Sequence, residues 1–204
     1  MTGRRTVADT GQAFPIYIMV VGGLLFLAFA YLAVGQAAAN RNGAQTAADA
    51  AALAAAQERR DQLSGVWVRH LLEPDMWQEI FDGMAEGLTP SCWRAEQLAA
   101  MNDAKVLSCS ADGLLGHTVE VQTNKTVGDS IVPGTETKKS RATATAVIEP
   151  RCDFQLPGTD EDADVEDALP TLNCKGGVDW ELDPETPQDL LPKPEDLFDV
   201  HLAD

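Results

Sequence analysis

Residues 14–35 read FPIYIMVVGGLLFLAFAYLAVG, and no charged residue occurs between Asp9 and Arg41. A helix of about 20 apolar residues rising 1.5 Å per residue crosses a hydrocarbon core of about 30 Å. This stretch therefore predicts a single transmembrane helix over residues 13–37, preceded by a short cytoplasmic lead, 1–12. Arg4 and Arg5 stand before the span, and basic flanks stay on the cytoplasmic side. The N-terminus is thus expected inside and residues 40–204 extracytoplasmic. A cleaved secretory signal is the competing reading, with Ala37-Ala38-Ala39 as its cleavage site. Signal h-regions run about 7–15 residues, and this apolar run is longer, so an uncleaved anchor is expected.

Beyond the span the composition stays helical. Residues 44–62 are almost all Ala, Gln, Thr, Asp, Glu and Arg, and alanine is the best helix former. An Ala-rich helical stalk over 38–63 is expected to continue the membrane helix, with Asn40-Arg41-Asn42-Gly43 as a weak joint. Small residues recur along it, among them Gly22, Gly23, Ala30, Ala33 and Ala37, which suits close approach of neighbouring helices.

Residues 64–152 carry the marks of a small folded head. Trp67, Leu71, Trp77, Ile80, Phe81 and Met84 fall at helical spacing and form a candidate buried stripe, with Pro74 opening a new helix. A further short helix fits residues 93–101. Residues 105–109, 117–123 and 141–148 alternate or carry β-branched side chains, the pattern of an antiparallel β meander. Helices followed by strands give an α+β head.

Four cysteines, Cys92, Cys109, Cys152 and Cys174, all follow the span, which suits an oxidising compartment. They permit three pairings. The expectation is Cys92–Cys109 and Cys152–Cys174, because each closes a short loop. None forms a C-x-x-C, so zinc and thioredoxin-type chemistry have no support.

The net charge of −17 is concentrated at one end: residues 153–204 hold 16 acidic residues, two lysines and six of the 11 prolines. Such a segment buries too little apolar surface to offset chain entropy, so an acidic, mostly disordered tail is expected. The charge also argues against nucleic acid as a partner, since phosphate contacts need a basic surface. Asp160, Asp162 and Asp164 repeat like the start of a calcium loop, but Val165 and Thr171 occupy the positions where Gly and Glu are required. His70, His117 and His201 are scattered, and no nucleophile elbow or phosphate loop occurs. No catalytic residue, cofactor or metal site is expected.

Gly11 and Gln12, the apolar span, and then Ala47, Ala48, Asp49, Ala50, Ala51, Ala52 and Leu53 together resemble the TadE/TadG-like proteins of Flp (tight-adherence) pilus assembly. The resemblance covers roughly residues 4–57. It implies a membrane-anchored accessory or minor-pilin-like component of a bacterial surface pilus system, non-catalytic. Its implied partners are the lipid bilayer and other single-span pilus or pseudopilin-like proteins met through the N-terminal helix. Relatives cut by prepilin peptidase carry Gly before the cut and Glu five residues later. Here Gly11 is followed at that distance by Ile16, so processing after Gly11 is not expected. The alternative class is an anchored or secreted acidic extracellular binding module unrelated to pili.

Overall fold

The computed structural model describes residues 13–126, 137–156, 169–183, 185 and 190–203. Its backbone is one helix, α1 (Ala13–Arg69), about 85 Å long at 1.5 Å per residue. No joint interrupts it at residues 40–43. Good helix formers on both sides carry the helix through, and a lone Gly43 costs only about 1 kcal/mol. Nor does α1 end with the expected stalk; it runs on to Arg69 and takes in the first part of the region read as the head.

After α1, a 3₁₀ turn (Pro74–Met76) leads into α2 (Trp77–Phe81), and then into α3 (Cys92–Met101). The strands β1 (Ala104–Ala111), β2 (Gly116–Thr123) and β3 (Arg141–Pro150) follow as an antiparallel meander. The architecture is α+β. Beyond β3 lie β4 (Cys152–Asp153), β5 (Leu172–Cys174) and β6 (Val178–Trp180), which make a small second sheet. A short α4 (Pro194–Leu197) precedes β7 (Phe198–Leu202). The main sheet has the order β1-β2-β3-β7.

The inner face of this sheet follows the period of two. Val119 and Val121 of β2 are fully buried, and Ala144, Ala146 and Ile148 of β3 lie on the same side. β1 breaks the period. Its pairing slips by one residue between Val106 and Ser108, a β-bulge. Without that extra residue Cys109 would face away; with it, Cys109 stands opposite Val119 on the core side. There it joins Cys92 at the start of α3, and Cys152 joins Cys174 across the β4–β5 pair. The β1–β2 turn requires glycine at 116, because a Cβ there would sit 2.6 Å from the Asp112 carbonyl oxygen.

Two further expectations are corrected. Residues 169–183 and 190–203 belong to the fold rather than to a disordered tail. β7 pairs with β3, and Leu172, Leu197 and Phe198 are fully buried. The tail's few apolar residues are clustered where they can be buried, which a segment-wide charge count averages away. Residues 157–168, including most of the acidic run, lie outside the described residues, as do Arg4, Arg5, Gly11 and Gln12. The second correction concerns Met84, which is 51% exposed. α2 stops at Phe81, and Gly83 at φ 80° turns the chain off the helical face.

Aromatic contacts bind the late segments to the early ones. Trp77 meets Trp67 of α1 at 5.4 Å and Phe154 at 5.3 Å, and Phe81 meets Phe198 at 5.1 Å between ring centroids. Phe198→Ala is expected to destabilise the full-length protein in detergent by about 3–5 kcal/mol, the usual cost of emptying a buried Phe site. Denaturant unfolding followed by Trp fluorescence checks this, with the exposed Asp199→Ala as the near-neutral control.

Candidate functional site: two halves of one helix

The candidate site is α1 itself, which divides at residues 40–44 into two environments. On the N-terminal side Phe14, Tyr17, Met19, Phe26, Leu27, Tyr31 and Val34 are each at least 65% exposed. None of the 18-residue apolar window is buried, and among the described residues this is the one helix long and apolar enough to cross a membrane. A water-facing surface of this size has no stabilising role in a soluble fold, and apolar patches of this extent mark membrane or protein contact.

On the C-terminal side the same helix is the core of the head. Ala44, Ala48, Ala51 and Ala55 recur at intervals of four and three, which puts them on one face. All four are fully buried, as are Ala47, Ala52 and Ala56. Burial wraps well beyond one stripe because α1 packs against the sheet, chiefly β3 and β2, and also against α3. The partners are small as well: Ala144 and Ala146 on β3, Ala95 and Ala99 on α3. Methyl-sized side chains on both surfaces let the backbones approach closely. Farther along, Leu63, Val66 and Trp67 take over and fill the wider space near the aromatic cluster.

The segment expected to stand as a stalk is therefore enclosed by the head. The matching residues Ala47, Ala48, Ala51 and Ala52 are core positions, Ala50 and Leu53 are half-buried, and Asp49 accepts a hydrogen bond from Gln45 Nε2 at 2.7 Å. The motif is a packing surface. Its alanines were legible in the sequence; that they face this chain's own sheet was not.

The boundary between the two halves is fixed by hydrogen bonds. Asn40 Nδ2 donates to the Thr126 carbonyl at 3.0 Å, and the Thr123 hydroxyl donates to Asn40 Oδ1 at 3.2 Å. The residue that looked like a hinge thus ties the helix to the end of β2.

The histidines do not converge. His70 lies beside Glu73 after α1, and His201 lies on β7 near Glu149. His117 is 4% exposed on the inner face of β2, and its Nδ1 has no hydrogen-bond partner among the described residues. Burial first, and then the positive charge of Arg59, hold its imidazole below the ordinary value. Among the described residues no group of three or more His, Cys, Asp or Glu is placed to hold a metal ion. The depression beside Glu58, Gln62 and Arg69 is open, and Gln62 Oε1 there accepts the Thr89 backbone N–H at 2.8 Å as a strut.

A single exposed apolar helix that continues as the core helix of a small disulfide-bonded α+β head defines the structural class. Residues 11–58 match the Tad family model, described as "Putative Flp pilus-assembly TadE/G-like". The matched segment ends within the buried part of α1, and the head beyond residue 58 lies outside it. No curated protein and no solved structure matches the chain.

Two outcomes are expected. Ala51→Leu should cost about 1–3 kcal/mol by overpacking between helix and sheet, whereas Leu at the exposed neighbour Gln57 should be close to neutral, both read by denaturant unfolding. The pH dependence has a definite sign. With its native pKa lowered, His117 binds its proton more readily in the unfolded chain. Its contribution is intact above about pH 6.5 and is lost as pH falls below that value. Unfolding of the wild type should therefore become easier on acidification, and His117→Phe should flatten that slope.

Proposed function

We propose that the protein is a membrane-anchored, non-catalytic component of a bacterial Flp/Tad pilus assembly system. The observation that carries this reading is the division of α1: an unburied apolar half, and a packed alanine half that together coincide with the family match. The apolar half spans the inner membrane with the N-terminus in the cytoplasm and the head outside. Two disulfides support that placement, since they persist in oxidising compartments. The helix contacts other single-span pilus or pseudopilin-like proteins within the bilayer. Gly22 and Gly23 leave room for this, as nothing beyond the adjoining turns of the helix's own backbone lies within 4 Å of a Cβ built at either position. Ile16, five residues after Gly11, marks the span as a lasting tether rather than a processed pilin helix.

The test is made in the native membrane. The protein should resist carbonate extraction, and protease added outside spheroplasts should remove the head while sparing a tag placed at residue 1. Crosslinking within the bilayer should then recover other single-span pilus components. Release by carbonate, or digestion of the N-terminal tag with the head intact, would sink the anchor or its orientation respectively.

A further inference from the structure

The end of the head that faces the span is basic, in a chain whose net charge is −17. Asn40, the clasp residue, lies five residues beyond Gly35, or about 7.5 Å along the helix at 1.5 Å per residue. A bilayer of about 40–45 Å around a hydrocarbon core of about 30 Å leaves roughly 5–8 Å of headgroup layer on each side. Whatever is held to Asn40 therefore lies at headgroup depth.

What is held there is one end of the main sheet. Asn40 bonds to Thr123, Lys125 and Thr126, and the Ser140 backbone N–H donates to Thr123 Oγ1 at 3.1 Å. Ala104, Thr123 and the start of β3 meet at this end. Around it stand Arg41, Lys105, Lys125, Lys138, Lys139 and Arg141, six of the chain's 15 basic residues, and all are exposed. Lys125 pairs with Asp103 at 2.6 Å, and Arg141 lies 3.8 Å from Glu120. Arg41, Lys105, Lys138 and Lys139 make no ion pair among the described residues. Against Asp103 and Glu120 the six basic residues leave this end net positive; Asp129 and Glu136 lie outside the described residues. The opposite end of the sheet has no such excess: Asp112, Glu149 and Asp199 stand there with Arg151 and with Lys175, which pairs with Glu149 at 3.6 Å.

We propose that this basic collar seats the head on the anionic lipid headgroups of the membrane that α1 spans. The proposal rests on the anchor reading above. The collar's lysines and arginines contact lipid phosphates, while the acidic remainder of the head is repelled by the same surface, so charge favours the tilt of the rigid helix-and-head unit that sets this end against the membrane. The unbroken α1 and the clasp at Asn40 bring the collar to the right depth and fix which end of the head turns down, and the charges hold that end against the headgroups.

Lysine labelling of the full chain in lipid nanodiscs tests this, with phosphatidylcholine alone compared with phosphatidylcholine plus phosphatidylglycerol. Labelling with a succinimidyl ester is read by mass spectrometry at Lys105, Lys125, Lys138 and Lys139. Lys175 and Lys193, exposed and away from the collar, serve as internal controls. Labelling of the four collar lysines should fall several-fold in the anionic discs at low salt and recover at high salt, with the controls unchanged. In Lys138→Glu/Lys139→Glu, the protection of Lys105 and Lys125 should weaken. Equal labelling in both lipids, in a protein that co-elutes with the disc, overturns the collar and leaves the anchor standing. Failure to co-elute with discs overturns both.

Discussion

The rest of the structure depends on how closely α1 can approach the surfaces around it. Between Ala44 and Ala56 the helix presents methyl groups to the sheet and to α3, and those surfaces answer with alanines of their own. Small-to-small packing buries little area per residue, so this region contributes geometry more than energy. The larger hydrophobic contribution comes where Leu63, Trp67, Trp77, Phe81 and Phe198 meet. The alanine seam sets the path of the helix through the head, and the aromatic cluster holds it there. One rigid element therefore links whatever the membrane half touches to the orientation of the head.

The late segments complete the fold. β7 pairs with β3 from Ala146 to Pro150, which covers an edge the meander would otherwise leave open. Cys152 and Cys174 join the segment after β3 to β5, and Phe154 meets Trp77 edge-to-face and Phe81 at a tilt. A head of this size gains from such cross-links because its core is small. The acidic composition of residues 153–204 hid this role, since charge averaged over the segment conceals the few apolar residues that enter the core.

The parts most relevant to function were unevenly legible. The span, the alanine run, the three meander strands and the short-loop cysteine spacing could be read directly, because each is a local pattern. Asn40 was read as a breaker, yet its amide is used by a contact 86 residues away. The bulge in β1 left no signal either, because one extra residue is visible only against a partner strand. The basic collar is assembled from α1, β1, the end of β2 and the approach to β3. In the linear sequence its six residues are spread over a hundred positions and look like background.

By itself the sequence determined where the chain can cross a membrane, that a helix continues beyond the crossing, and that helices precede strands in the head. These follow from apolar run length, helix propensity and side-chain period, all of which act within a few residues. Tertiary structure alone decided that the alanine helix is core and not stalk, that the acidic C-terminal region supplies an edge strand, and that one end of the head is positive. Those outcomes depend on which surfaces meet, and such meetings join residues that no local pattern relates.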